Sequence, residues 1–321
     1  MVSHCWKSCR KVYLISAGQM TKIGLVGCGR WGRNILRDLL SLGCHVCVSE
    51  RNPENQKKAL ELGAHRVLSE MFCADEFCDG FVVAVQTVNH YPVVKQLLPF
   101  GKPIFCEKPL TPSSAQAREL ARTSNGRLFV MHKWRYHAAV EAMRQIIAEG
   151  NMGKVLSIEL KRKQWKQPHT DADAVWILLP HDLCILLHLL GELPPPIFAS
   201  ALRHRTRSDW LHDIIAVLGT APRCLVHVSE CYATYDRGIH VQFEEGAVCM
   251  TDPLADHLIV QKGPVDGVCE EALLPIAINM PLLEELKHFV EHLEGGPAPF
   301  TSVNEEVTIL STIEQLRSMA S

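Results

Sequence analysis

The chain has 321 residues, 47% of them hydrophobic and 21% charged, with a formal net charge of −2. That length accommodates two ordinary domains with well-formed cores. The charge balance gives no pull toward nucleic acid or an anionic membrane, and no apolar run approaches the roughly 20 residues of a membrane span.

Residues 1–19 read as an extension without fixed structure. Basic residues precede only the four apolar residues VYLI, too few for a signal-peptide core. From Lys22 onward, short apolar runs alternate with helical stretches. KIGLVG predicts a strand. RWGRNILRDLLSLG predicts a helix with Ile35, Leu39, Leu40 and Leu42 on one side and Gly43 closing it. CHVCVS is a second strand. NPENQKKALELG is a helix capped by Asn52, with Pro53 first and Gly63 last. HRVL and GFVVAV are strands, NHYPVVKQLLPFG a helix, PIFCE a strand, SSAQARELARTS a helix and RLFVM a strand. Strands alternating with helices predict a doubly wound parallel sheet over residues 20–127.

Residues 128–321 carry a different pattern. The helix HAAVEAMRQIIAEG and the long strand GKVLSIELKRKQW lead to the apolar helix PHDLCILLHLLG, read as starting at Pro180. The strands IFASALRHRT, DIIAVLGT, RCLVHVSECY, GIHVQFEEG and DHLIVQK follow with little helix between them. Two helices close the chain and are expected to pack back on the first domain. The fold class is therefore α/β: a Rossmann-type domain followed by an α+β domain with a mainly antiparallel open sheet. An open sheet face predicts pairing of subunits as a homodimer or homotetramer.

Most of the thirteen cysteines lie in apolar runs, as Cys47, Cys106 and Cys184 do. They read as small hydrophobes in a reducing, cytoplasmic setting. Cys44 and Cys47 are spaced C-x-x-C, but three residues apart on a strand they point to opposite faces, so no metal site is expected.

Gly27, Gly29 and Gly32 match G-x-G-x-x-G between a strand and a helix, the context a dinucleotide loop requires. Glu50 ends the second strand, where a carboxylate accepts hydrogen bonds from a ribose diol and repels a 2′-phosphate. This favours NAD over NADP, while the adjacent Arg51 leaves NADP open. Lys108 stands where the PIFCE strand stops, at the edge where parallel sheets bind ligands. Lysines at such ends are ordinarily solvated. Glu107 and Pro109 on either side would instead aim this ammonium.

With GCGRWG, VAVQTVNHY, Glu107-Lys108-Pro109, KWRY, EGNMGKV and His181-Asp182 in place, the chain from about Thr21 to its end resembles the Gfo/Idh/MocA oxidoreductase family. The resemblance implies NAD(P)-dependent hydride transfer between the nicotinamide and an alcohol or ketone of a sugar, cyclitol or nucleotide-sugar-like substrate. It implies that Lys108 and His181 are catalytic. It also implies that Gly27, Gly29, Arg30, Trp31, Gly32, Glu50, Arg51, Gln86, Thr87, Asn89, His90, Glu107 and Arg135 line the cofactor. The chain departs from the family pattern at Ile177, where an aspartate is common, and Asp171 or Asp173 is the nearest substitute. That departure keeps open a cofactor-binding regulator that has lost catalysis. An imine or tetrapyrrole reductase on the same scaffold is a further reading, one that has no need of His181.

A start at Pro180 would put His181 in the first helical turn, where the positive helix end keeps an imidazole neutral. KRKQWK places Lys161, Lys163 and Trp165 on one strand face, and RHRTR adds Arg203, Arg205 and Arg207. An anionic substrate fits these, and so does a solvated edge strand.

Overall fold

The computed structural model describes residues 20–71, 78–165, 172–205, 207, 209–264 and 266–320; the N-terminal extension lies outside them.

The first sheet contains β1 (Lys22–Val26), β2 (His45–Ser49), β3 (Arg66–Leu68), β4 (Gly80–Val83), β5 (Ile104–Glu107) and β6 (Leu128–Met131). Their order is β3-β2-β1-β4-β5-β6, and every pair is parallel. Strands β4, β5 and β6 are buried at every residue, because helices cover both faces of a parallel sheet. Helices α1 (Gly32–Ser41), α2 (Pro53–Glu61), α3 (Thr87–Leu97) and α4 (Ser114–Thr123) connect the strands. The start of α2 follows its sequence signals: Asn52 Oδ1 accepts from the Glu54 and Asn55 amides, with Pro53 at the first position. Strand order reverses between β1 and β4, which opens the crevice where such sheets take ligands.

One expected boundary moves. Strand β6 pairs with β5 through Met131, so the first sheet runs past residue 127.

The second sheet has eight strands in the order β14-β13-β12-β11-β7-β10-β9-β8. They are β7 (Val155–Trp165), β8 (Pro196–Arg203), β9 (Leu211–Leu218), β10 (Arg223–Ser229), β11 (Cys231–Phe243), β12 (Gly246–Met250), β13 (His257–Lys262) and β14 (Glu270–Pro275). Pairing is antiparallel except between β7 and β10. The sequence pattern did not foresee β12 or β14. Every residue of β14 is exposed, so it has no buried face to impose a periodicity.

Helix α5 (Ala138–Glu149) leads into this sheet, and α6 (Ala174–Leu190) lies against β9 and β10. Helix α6 starts six residues before the expected Pro180. Asp173 caps it by accepting from the Trp176 amide, and the chain tolerates Pro180 inside the helix. The closing helices α7 (Pro281–Leu293) and α8 (Val303–Met319) pack on α1 and α4 of the first sheet's layer. Phe289 of α7 stacks on Phe105 of β5 with ring centroids 5.0 Å apart. Helix α8 opens with a full capping box between Ser302 and Glu305. One hydrophobic cluster includes residues of β4, β5, α5, α6, the second sheet and α8, so the two layers share a core.

Candidate functional site

The glycine loop at the end of β1 separates the protein's own needs from a ligand's. Gly27 has φ +90°, and a Cβ there would lie 2.7 Å from the Ala84 carbonyl oxygen. A Cβ on Gly32 would lie 2.3 Å from the Gly27 carbonyl oxygen. Both positions must be glycine for the turn to close. A Cβ on Gly29 would meet nothing within 4 Å beyond its own chain neighbours, so its bareness serves something other than packing. Helix α1 begins at Gly32 without a side-chain cap or an acidic residue in its first turn. Its N-terminus is thereby left to an anionic group. These features fit the pyrophosphate of a dinucleotide.

Glu50 leans over the loop. Its Oε2 accepts from the Cys28 amide at 2.8 Å and its Oε1 from the Asn52 amide at 2.9 Å. Arg30 and Arg51 are exposed. Trp31 donates its indole N–H to Glu107, which ties the loop to the end of β5, and Lys133 Nζ lies 4.8 Å above its ring. Gln86 is exposed just ahead of α3, Asn89 is half-buried, and Thr87 and His90 are buried. His90 braces the scaffold: Nδ1 lies 2.9 Å from the Pro109 carbonyl oxygen and Nε2 3.1 Å from that of Val85. Arg135, expected over the cofactor, is turned elsewhere. It donates to the Phe300 carbonyl, Glu305 and His188 Nδ1, which joins the Lys133–Tyr136 turn to α6 and α8.

Lys108 is half-buried at the end of β5, before a cis peptide to Pro109. Its amide donates to Glu107 Oε2 at 3.0 Å, and its Nζ donates to the Ile177 carbonyl at 2.8 Å. Burial lowers its pKa to about 8; Glu107 opposes the shift, while Lys133 and Arg162 add to it. Ile177 lies one helical turn before His181, on the same face of α6. The His181 Nδ1 is buried and has no hydrogen-bond partner. Burial, reinforced by Lys108, Arg162 and Lys133, holds the His181 pKa well below the ordinary histidine value. His181 is thus neutral for a reason other than the one expected. Helix α6 begins at Ala174, so the helix end lies too far away to act.

Of the two proposed substitutes for the aspartate, the described one is committed elsewhere. Asp171 lies outside the described residues. Asp173 caps α6 and also accepts from the Leu211 amide and from Arg317. His188 is structural, 3.1 Å from Glu141.

Three groups were missed by sequence reasoning. Arg162 of β7 grips Asp182 through Nε and NH2, the shortest contact being 2.7 Å, and its guanidinium lies 4.4 Å above the Trp134 ring. The alternation of the KRKQWK strand carried the signal: Ile158 and Leu160 are buried, and Arg162 shares their face. Lys161 and Lys163 lie on the other side and pair with Asp236 at 2.9 and 3.2 Å. Behind Lys108, Glu306 of α8 accepts from the Leu110 amide at 3.0 Å and pairs with buried His132 at 2.7 Å. Burial opposes the His132 imidazolium, but Cys184 and Glu306 outweigh it and raise the pKa to about 10. Glu285 of α7 is buried, and burial together with Glu107 pushes its pKa well above the carboxylate range. No sequence spacing links these positions.

A parallel sheet of this strand order, with an open glycine loop after β1 and a lysine at the end of β5 two strands away, is the arrangement of a dinucleotide-binding fold. Residues 21–132 match the family described as "Oxidoreductase family, NAD-binding Rossmann fold". The matching family model is that of the Gfo/Idh/MocA oxidoreductases. Inositol 2-dehydrogenase of Burkholderia lata is 26% identical over 260 residues, covering 73% of this chain and 75% of its own. Two solved structures share the whole fold. UDP-N-acetylglucosamine 3-dehydrogenase from Acidithiobacillus ferrooxidans has a TM-score of 0.79 at 21% identity, covering 94% of this chain and 98% of its own. Levoglucosan dehydrogenase in complex with NADH and levoglucosan has a TM-score of 0.83 at 16% identity, with the same coverage.

Among the described residues no helix is long and apolar enough to cross a membrane, and no group of three or more His, Cys, Asp or Glu is arranged to hold a metal.

Proposed function

We propose that the chain is an NAD-dependent oxidoreductase that interconverts a secondary alcohol and a ketone on a sugar- or cyclitol-like small molecule. The observation that carries this reading is Lys108 Nζ bound to the Ile177 carbonyl, one helical turn before His181. The ammonium is thereby anchored to the helix that carries the unpartnered imidazole nitrogen, at the carboxyl edge of a sheet of dinucleotide-binding order. The names of the similar dehydrogenases support the substrate class.

Gly29, the α1 N-terminus and Glu50 would hold NAD, which supplies the hydride acceptor. Lys108 Nζ has three donors, so it keeps the Ile177 carbonyl and still donates to the reacting oxygen. Its charge stabilises the alkoxide character that develops there. His181 Nδ1 receives the hydroxyl proton as the carbon is oxidised. The overall change is alcohol plus NAD⁺ to ketone plus NADH and a proton, and ketone reduction uses the same groups in reverse.

Ile177 alters the usual arrangement without removing it. A main-chain carbonyl positions the ammonium without adding negative charge, so the Lys108 pKa stays low. A cytoplasmic setting belongs to this proposal, supported by the free thiols of all ten described cysteines. So does a homo-oligomer joined through the exposed face of the second sheet, where Leu202, Phe198 and Ile215 are exposed.

The test is the absorbance of NADH formed from NAD⁺ with a panel of polyols, sugars and sugar acids. Turnover that disappears in Lys108→Ala and His181→Ala supports the assignment. Binding of NADH with no turnover on any substrate identifies a regulator instead. Full activity in His181→Ala identifies a reductase of another substrate class.

A further inference from the structure

Past Leu160, the helix-facing side of the second sheet changes from apolar to basic. Ile158 and Leu160 of β7 are fully buried, and Arg162 continues their face at 3% exposure. Strand register places Arg237 of β11 directly across from Arg162, so both side chains rise from the same face. Arg162 uses only part of its guanidinium on Asp182; NH1 is buried and no atom accepts its hydrogens. Arg237 donates NH2 to Gln164 at 2.9 Å, while its buried Nε has no partner. Among the described residues, no carboxylate forms an ion pair with Arg237, Lys133 or Lys108.

This basic patch belongs to the reaction site. Asp182, held by Arg162, follows His181 in the chain. Trp134, beneath the Arg162 guanidinium, follows Lys133. The Arg162 charge acts on Lys108, His181 and Lys133 alike. Buried N–H donors without acceptors are rare and unfavourable in a folded protein. Two of them on neighbouring strands, beside Lys108 and Lys133, which no carboxylate pairs directly among the described residues, are a site for an anion.

From this we infer that the substrate carries an oxyanion group, a carboxylate or a phosphate ester, on a carbon other than the one oxidised, and that Arg162 NH1 and Arg237 Nε are its donors. The inference rests on the oxidoreductase reading and narrows its substrate class. A neutral polyol would leave both donors without a charged acceptor.

The experiment measures ligand binding and turnover separately, on the full chain saturated with NAD⁺ so that the dinucleotide loop is filled. The probes are glucose, glucuronate, glucose 6-phosphate and inorganic phosphate, with affinity read from the shift in Tm and from calorimetry. An anionic probe should bind at least about tenfold more tightly than glucose, the effect of one charge-assisted hydrogen bond. Stronger binding of glucuronate assigns a carboxylate; stronger binding of glucose 6-phosphate or inorganic phosphate assigns a phosphate. Arg237→Gln should remove that preference, with an intact Tm in the absence of probe showing that the variant folds. Equal binding of glucose and every anion, or an unchanged preference in Arg237→Gln, overturns the inference. Anion binding lost in Arg237→Gln, but with no NADH formed from any sugar, keeps the anion site and sinks the oxidoreductase reading instead.

Discussion

The two sheets place their chemistry differently. In the first, β4, β5 and β6 are buried throughout, and every candidate group emerges at a strand end or in the turn after it: the glycine loop after β1, Glu50 after β2, Lys108 after β5. A parallel sheet covered on both sides leaves polar groups nowhere else to surface. In the second sheet, the chemistry lies on the face itself. Arg162 and Arg237 stand in mid-strand, on the side that bears the apolar core a few residues earlier. The first arrangement reads a cofactor common to many proteins, largely through backbone. The second presents side chains, which is where discrimination among substrates can reside.

The most forceful way to break this comparison is Arg162→Met. Asp182 is 1% exposed and would lose the guanidinium that neutralises it. The expected loss is about 3–5 kcal/mol of stability, measured by urea denaturation. Adding Asp182→Leu should restore most of it, and failure to do so would show that the pair has no such electrostatic role.

Lys108→Ala acts on the first sheet's edge. Turnover should fall on the order of 10²–10³-fold, while NADH affinity, followed by fluorescence, changes little. Parallel loss of binding would mean that Lys108 belongs to the cofactor site instead.

The glycines sharpen the same contrast. Gly29→Ala should leave Tm unchanged and weaken NADH binding by about tenfold, since the added methyl meets only the space above the loop. Gly32→Ala meets the Gly27 carbonyl and should lower Tm markedly. If both variants behave alike, the loop is not divided between packing and ligand.

The smallest effect concerns pH. The Lys108 pKa is lowered to about 8, so the charged form is lost as pH rises through that value. Ketone reduction, which requires the ammonium, should fall across the same range. Ile177→Asp places a carboxylate near Lys108, favours the charged form and should move that limb upward by about one unit. A profile that does not move would separate Lys108 from the titration.

Most of the first domain was legible because its signals are local. Asn52 and Pro53 cap α2, Gly27 and Gly32 meet steric demands within their own turn, and continuous apolar runs fix the buried strands. The error at Pro180 shows the limit of such rules. Proline favours a first helical position, but the Asp173 cap and burial of α6 on nearly every side outweigh the lost N–H. The neutrality of His181 was expected from a helix end and arises from burial among cations, which no spacing encodes.

The sequence alone determined the order of elements in the first sheet, the glycine turn and the lysine at the strand end, since each depends on residues a few positions apart. Only the tertiary structure brought Lys108 to Ile177, Arg162 to Asp182, Glu306 to Leu110 and Arg162 across from Arg237. Those contacts join residues distant in the chain. They depend on how strands register and helices dock, which packing of the whole core decides.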